Sequence, residues 1–279
     1  MVDETTQTGK SIQFISARDA DLGGVLPARF LKRYEVHSYR NATRILASAS
    51  PKEFAELVDT LLSFSISTMD MVKGGGNKSQ IALKMDDLLY PHGWYETRIR
   101  GDMLIQTMTV EPNPSFGTKK KEKKTALIER AFTIQNIIDG HKIDFVKNRV
   151  AFDMEWNSKD QTFDRDLYAM RTFYEAGIID AGVLLTRDTS LGSMFAEIGK
   201  RVHIKDFKSK YGASTTWMGK LTYRLDAGRG GGCPILAIGI KPPVVTDYEQ
   251  WKRGNPVIKK GLAAEELIEG IGDEENLDE

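Results

Sequence analysis

Residues 143–156 constrain the fold more than any other part of the chain. An apolar run at 143–146 is followed by Lys147 and Asn148, which suit a tight turn, and then by an alternating segment at 149–156. Alternation with a period of two is typical of a β-strand with two different faces. The pattern therefore predicts a β-hairpin. Four apolar residues share one face of its second strand: Val150, Phe152, Met154 and Trp156.

Three acidic residues fall on this hairpin. Asp144 lies on the first strand, and Asp153 and Glu155 share the second face of the second strand with Ala151. Carboxylates brought together by the hairpin would raise one another's pKa values unless a cation lay among them. Mg²⁺ prefers hard oxygen ligands and commonly takes one or two carboxylates. The pattern favours metal-assisted phosphodiester hydrolysis, and the alternative is a solvent-facing strand side with incidental charges.

Local patterns before the hairpin predict several elements. A folded body is expected to start near Phe30, and Ser50, Pro51 and Glu53 indicate a helix start with a capping box. Further predictions are a break at glycines 74–76, a helix over 81–89, a hairpin turning at 100–102, an exposed loop at 112–124 and a helix over about 125–138.

Patterns after the hairpin complete the fold prediction. Apolar residues at helical spacing predict a helix over 163–174 that ends at Gly177, and apolar runs predict strands over 181–186 and 234–240. Interleaved strands and helices predict an α/β fold with a mixed central sheet flanked by helices. The domain prediction is an N-terminal extension at 1–29, one nuclease domain at 30–262 and an acidic, flexible tail at 263–279.

The net charge of zero hides an asymmetry along the chain. Residues 263–279 hold eight acidic residues and no basic one, which leaves 39 basic against 31 acidic residues in 1–262. The excess is concentrated in two places, 200–224 and a lysine run. The run consists of Lys119, Lys120, Lys121, Lys123 and Lys124. Such clusters suit contacts with DNA phosphates, and the alternative is a solvated lysine face.

Several classes of protein are excluded or disfavoured. A single cysteine, Cys233, excludes a disulfide framework and a cysteine-based zinc site. No apolar stretch is long enough to cross a membrane, and the polar, acidic N-terminus lacks the apolar core of a secretory signal, which favours the cytoplasm. The glycine-rich segment 228–232 precedes a strand and lacks a Gly-Lys-Ser/Thr ending, so a nucleotide-binding loop is not predicted. No cofactor motif supports an oxidoreductase.

The run Ile143-Asp-Phe-Val-Lys-Asn-Arg-Val-Ala-Phe-Asp-Met-Glu-Trp156 resembles the catalytic hairpin of the BglII/BstYI family of type II restriction endonucleases, within the PD-(D/E)xK nuclease superfamily. Segment 92–98 resembles the family's segment before its first hairpin. Segment 228–240 resembles the family's glycine-rich loop and the strand that follows it. The resemblance covers roughly 34–243.

The resemblance implies roles for residues of the hairpin. Asp144 and Asp153 would bind Mg²⁺ together with the main-chain carbonyl of Met154. Glu155 falls where the superfamily has lysine and the family usually has glutamine, and Asp153 stands where relatives often have glutamate. These departures leave open whether Glu155 polarises the attacking water or contacts the metal, and whether one or two metals bind.

Two polar segments are candidates for reading DNA. Asn157, Ser158 and Lys159 directly follow the acidic strand, and by the resemblance this loop enters the major groove, where base pairs are distinguishable. The alternative is an ordinary polar loop. The second segment carries hydroxyls between basic residues and consists of Ser214, Thr215 and Thr216.

The sequence with its resemblance therefore predicts a Mg²⁺-dependent type II restriction endonuclease that cleaves double-stranded DNA. A homodimer is expected because a palindrome presents the same groups to two symmetric subunits. A cognate DNA methyltransferase would be its functional partner. The resemblance implies 5′ overhangs of four bases and a GATC centre. The alternatives are a catalytically inactive DNA-binding protein and a repair nuclease of low specificity on the same fold.

Overall fold

The computed structural model describes residues 22, 24–73, 78–111, 126–204 and 207–258. The chain divides into two compact units, one formed by residues 1–95 and 143–279 and the other by 96–142. Three predictions lie partly or wholly outside the described residues and stay predictions: the N-terminal extension, the acidic tail and the exposed loop with its lysine run. The glycine break at 74–76 also lies outside them.

Helices and strands alternate along the chain. The helices are α1 (Ala28–Arg33), α2 (Ala42–Ala49), α3 (Pro51–Ser63), α4 (Thr68–Val72), α5 (Gln80–Leu89), α6 (Thr162–Glu175), α7 (Leu191–Gly199), α8 (Phe207–Lys210), α9 (Met218–Asp226) and α10 (Tyr248–Gly254), with short 3₁₀ helices at Tyr90–His92 and Pro242–Val244. The strands are β1 (Tyr34–Tyr39), β2 (Tyr95–Glu111), β3 (Ala126–Lys147), β4 (Val150–Glu155), β5 (Ala181–Arg187) and β6 (Ile235–Ile240). None of the described helices has the length and apolar character that a membrane crossing requires.

The six strands form one mixed sheet in the order β1-β6-β5-β4-β3-β2. Strands β4, β5 and β6 run parallel to one another, whereas β1 pairs antiparallel with β6 and β3 pairs antiparallel with β4. The three parallel strands are almost entirely buried, as expected for strands covered by helices on both faces. The α/β prediction with a mixed central sheet is therefore confirmed.

Helices cover both faces of the parallel strands. Helix α2 contacts β1, β5 and β6, and α6 contacts β4 and β5. The close approach of α6 depends on Gly182 of β5, because a Cβ at this position would collide with Sδ of Met170. Gly182 is opposite Ala151 in the register of β4 and β5. Helix α6 therefore covers the face of β4 that carries Ala151, Asp153 and Glu155.

The predicted hairpin over 143–156 is present. Phe145 pairs with Phe152, and Lys147 pairs with Val150 across the turn. Asn148 has a φ of 48°, a left-handed conformation that asparagine tolerates better than most residues. Its Nδ2 donates a hydrogen bond to Oε1 of Glu53, so the turn is attached to α3.

Helix α3 begins at Pro51 as predicted, but without the predicted capping box. The Ser50 side chain makes no capping hydrogen bond. The Glu53 carboxylate, which would have closed the box, is buried and accepts a hydrogen bond from Asn148 instead. The glutamate is therefore used for tertiary contact rather than for local capping.

Two predictions are wrong: the hairpin turn at 100–102 and the helix over about 125–138. Strand β2 continues through residues 100–102 without a turn, and the predicted helix over 125–138 is part of strand β3. Gly101 allows close approach of the partner strand, because a Cβ there would lie 3.2 Å from Cδ1 of Ile138. Asp102 accepts a hydrogen bond at 2.8 Å from the backbone N–H of Asn136. Pairing between two long strands has overridden local helix propensity.

Candidate active site

The hairpin and the parallel strand pair place three acidic residues at one end of β4. The backbone N–H of Asp144 donates a hydrogen bond of 2.8 Å to Oδ1 of Asp153. Glu155 pairs with Thr186 of β5, whose hydroxyl donates to the Glu155 carbonyl oxygen at 2.8 Å. Main-chain pairing on both sides therefore fixes the strand that carries Asp153 and Glu155.

The acidic residues differ in exposure. Asp153 is 5% exposed and Glu155 is 8% exposed, whereas Asp144 is exposed. Burial raises the pKa of Asp153 well above its usual value, and the charges of Asp166 and Asp144 raise it further. Burial likewise raises the pKa of Glu155. The ionised carboxylates are therefore poorly stabilised by the protein alone, which is the condition that a bound cation relieves.

Asp166 is a fourth acidic residue at this site, and sequence reasoning missed it. It lies on α6, is 3% exposed and has a pKa raised to about 8 by burial and by the charge of Glu155. Arg165 donates to its Oδ1 from Nε and Nη2, both at 3.2 Å, and Nη2 is 3.5 Å from Oε1 of Glu155. A signal was available, because Asp166 falls within the apolar face of α6 defined by Phe163 and Met170.

The site fits a cation, although not as a cluster of three carboxylates. Within the described residues, Oε2 of Glu155 and Oδ2 of Asp166 are buried without a hydrogen-bond partner. In the same part of the chain, no group of three or more His, Cys, Asp or Glu residues is arranged to hold a metal. Asp153 and Glu155 are alternate residues of β4, on one face and about 6.6 Å apart along the strand. Two carboxylates with one main-chain carbonyl remain a suitable set for Mg²⁺.

The two predicted reading segments lie against each other. Lys159 forms an isolated antiparallel bridge with Thr215. The backbone N–H of Asp160 donates to the Ser214 carbonyl at 2.9 Å, and that of Thr216 donates to the Ser158 carbonyl at 2.8 Å. Residues 158–160 and 214–216, which we call the paired segments, thus form one unit directly after the acidic strand.

Side chains of these segments differ in their access to solvent. Lys159 and Ser214 are exposed, and Asn157 and Ser158 are partly buried. Nδ2 of Asn157 donates to the Lys210 carbonyl at 2.9 Å. Thr216 is fully buried, so its hydroxyl does not face a ligand in this conformation. The exposed members are therefore better placed than Thr216 to contact DNA.

Ion pairs connect the first segment and α6 to α9. Lys220 lies 3.1 Å from Asp160, and Nε of Arg224 lies 3.0 Å from Asp164 at the start of α6. Arg229 of the glycine-rich segment also pairs with Asp164. Part of the basic excess around residues 200–224 is thus used within the protein.

Comparison with known proteins identifies the family. A search of curated proteins gives no match. The family model of the restriction endonucleases BglII/BglIII matches residues 34–240. These limits coincide with the first residue of β1 and the last residue of β6, so the match spans the whole sheet and both paired segments. The chain belongs to the BglII/BglIII restriction endonuclease family.

Proposed function

We propose that this chain is a Mg²⁺-dependent type II endonuclease that cleaves a palindromic site in double-stranded DNA. The observation that carries the proposal is the coincidence of the family match with the acidic strand. Asp153 and Glu155 are buried on a strand fixed from both sides, next to Asp144, in a chain of a restriction endonuclease family.

Asp144, Asp153 and the main-chain carbonyl of Met154 would hold the metal. When bound, the cation would lower the pKa of a water molecule and stabilise the charge that develops on the phosphate. Glu155 either polarises the attacking water or contacts the metal, and Arg165 and Asp166 hold its carboxylate in place. Direct attack of water on phosphorus requires no covalent enzyme intermediate.

Recognition is assigned to the paired segments and to the lysine run. Asn157, Ser158 and Lys159 follow the acidic strand without an intervening element. This connection fixes the distance between the bases that they contact and the phosphodiester bond that is cleaved. Ser214 and Thr215 approach the same DNA from the second segment. We propose that two copies of the chain act together, since each site hydrolyses one strand of a palindrome. We also propose that a cognate methyltransferase protects the host DNA from cleavage.

Plasmid cleavage tests the proposal. Purified protein should convert plasmid DNA into discrete fragments with Mg²⁺ and leave it intact with a chelator. Sequencing of the fragment ends should give a six-base palindrome with four-base 5′ overhangs and a GATC centre. Blunt or 3′-extended ends would refute the four-base 5′ overhang that the resemblance to the family implies. A different sequence within 5′ overhangs would refute only the GATC centre and would indicate Asn157, Ser158 and Lys159 as the place where specificity diverged.

The same experiment separates the two alternatives. Specific DNA binding without cleavage in Mg²⁺ would indicate an inactive DNA-binding protein. A smear of products would indicate a nuclease of low specificity. Either result would contradict the proposed function, whereas membership of the family would stand.

Replacing the lysine run tests its role at the DNA backbone. Changing Lys119, Lys120, Lys121, Lys123 and Lys124 to alanine should weaken binding to specific and random duplexes about equally. The slope of log affinity against log salt should flatten by about 0.9 for each phosphate that the variant no longer neutralises. Filter binding at several salt concentrations measures both effects. A variant with five arginines should keep the slope, and an unchanged slope in the alanine variant would show a solvated loop.

A further inference from the structure

Arg187, the last residue of β5, is a buried cation. It is 5% exposed, and no carboxylate of the described residues forms an ion pair with it. Burial lowers the pKa of Arg187 to about 10. Burial of a charge costs free energy unless hydrogen bonds compensate it. The groups that accept hydrogen bonds from this guanidinium are therefore held firmly to it.

In the described part of the chain, the side-chain hydrogen bonds of Arg187 go to residues 211–216. Its Nε donates to the Thr216 carbonyl at 2.7 Å, Nη2 donates to the Thr215 hydroxyl, and Nη1 lies 3.5 Å from the Tyr211 carbonyl. The guanidinium also lies 5.5 Å from the ring centroid of Phe195 and 5.4 Å from that of Tyr211. The rigid fork of arginine donors satisfies several acceptors at once, which lysine cannot do.

Two of the residues that Arg187 contacts, Thr215 and Thr216, belong to the paired segments. Thr215 bridges to Lys159, and the backbone N–H of Thr216 donates to the Ser158 carbonyl. The preceding residue of β5, Thr186, is bonded to the main chain of Glu155. Two consecutive residues of β5 therefore have different targets: Thr186 binds the end of the acidic strand, and Arg187 binds residues 215 and 216 of the paired segments.

We propose that Arg187 is a positioning residue for sequence discrimination: it fixes residues 214–216, and through them 158–160, relative to the acidic strand. The inference rests on the proposed function, in which these segments read bases. If the paired segments were less rigidly held, the protein would still bind DNA through phosphate contacts. It would, however, discriminate less well between the cognate site and sites with one base changed.

Arg187→Lys tests the proposal, and Arg201→Lys is the matched control. Arg201 is also mostly buried. It donates to the main-chain carbonyls of Lys252 and Asn255 and pairs with Glu197, and among the described residues none of its hydrogen bonds goes to the paired segments. The measured quantity is the ratio of kcat/KM for the cognate site to that for sites with one base changed. Arg187→Lys should lower this ratio about tenfold or more, because each base pair contributes a factor of this order. Arg201→Lys should leave it unchanged.

Hydrogen exchange provides a readout that does not depend on DNA. The amides of Asp160 and Thr216 should exchange at least about tenfold faster in Arg187→Lys, whereas the amide of Gly182, bonded to the Pro234 carbonyl, should not change. If Arg187→Lys does not fold, Thr215→Ala replaces it in the exchange measurement alone, because Thr215 is itself assigned to DNA contact, with Thr215→Ser as the variant that keeps the hydroxyl. Unchanged discrimination and exchange in the folded variant would overturn the proposal. A wild-type protein without a preferred site would refute the proposed function instead, and the exchange result would still decide whether Arg187 holds the segments.

Discussion

Asp144→Asn and Asp153→Asn are each expected to abolish DNA cleavage while specific DNA binding is retained. Loss of one of the two proposed carboxylate ligands should lower the cleavage rate at least roughly a thousandfold. The substitution changes charge but little else, because the asparagine carbonyl at position 153 can still accept the hydrogen bond from Asp144 N–H. Single-turnover cleavage and gel-shift binding in Ca²⁺ measure the two effects separately.

Affinity for the specific site should hold or rise in both variants, since the proposed site places this negative charge next to a DNA phosphate and the substitution removes it. Lys142→Gln serves as a control for charge changes near the hairpin, because this lysine is exposed and pairs with Glu96. Cleavage by either asparagine variant at near wild-type rate would exclude that residue from the metal-binding set.

Asp153→Asn should also stabilise the metal-free protein at neutral pH. Burial raises the pKa of Asp153, so ionisation of this carboxyl in the folded state costs folding free energy above the pKa of the unfolded chain. Asparagine removes this cost. The gain should disappear as the pH falls below about 4, where the wild-type carboxyl is protonated in both states. Thermal denaturation in a chelator at neutral and acidic pH measures this difference.

Phe152→Ala is expected to cost about 3–5 kcal/mol of unfolding free energy. Phe152 is fully buried on β4, and its ring centroid lies 5.7 Å from that of Phe145 on the paired strand. Removal of the ring leaves a cavity under the strand that carries Asp153. Urea denaturation at one fixed protein concentration measures the loss.

Phe132→Ala is the matched control, because Phe132 is 52% exposed on β3. Its replacement should change the unfolding free energy by no more than about 0.5 kcal/mol. A similar cost in both variants would contradict the burial of Phe152 beneath the acidic strand.

Strong local periodicity explains which elements were predictable. The hairpin at 143–156, helix α6 and strands β5 and β6 follow from patterns within single segments, and the structure confirms them. The uninterrupted course of β2 and the 126–142 part of β3 were missed because their conformation depends on pairing between the two strands. From sequence alone, Gly101 indicates a turn, because its close contact with the partner strand is not known.

The environment of the acidic strand was predictable only in part. Positions of Asp144, Asp153 and Glu155 follow from the alternation of one hairpin. The contact of Asp166 with Glu155 requires knowledge of how α6 crosses the sheet, and the bridge between Lys159 and Thr215 joins residues far apart in sequence. Single-segment patterns carry no information on such contacts.

The order of strands in the sheet has a consequence for the synthesis of this protein. Strand β1 pairs with β6, and Tyr34 opposite Ile240 joins parts of the chain separated by about 200 residues. Contacts between such distant residues form late and slow folding. A nascent chain on the ribosome cannot complete the sheet until β6 has emerged, so the strand that carries Asp153 and Glu155 is synthesised well before the sheet around it can close.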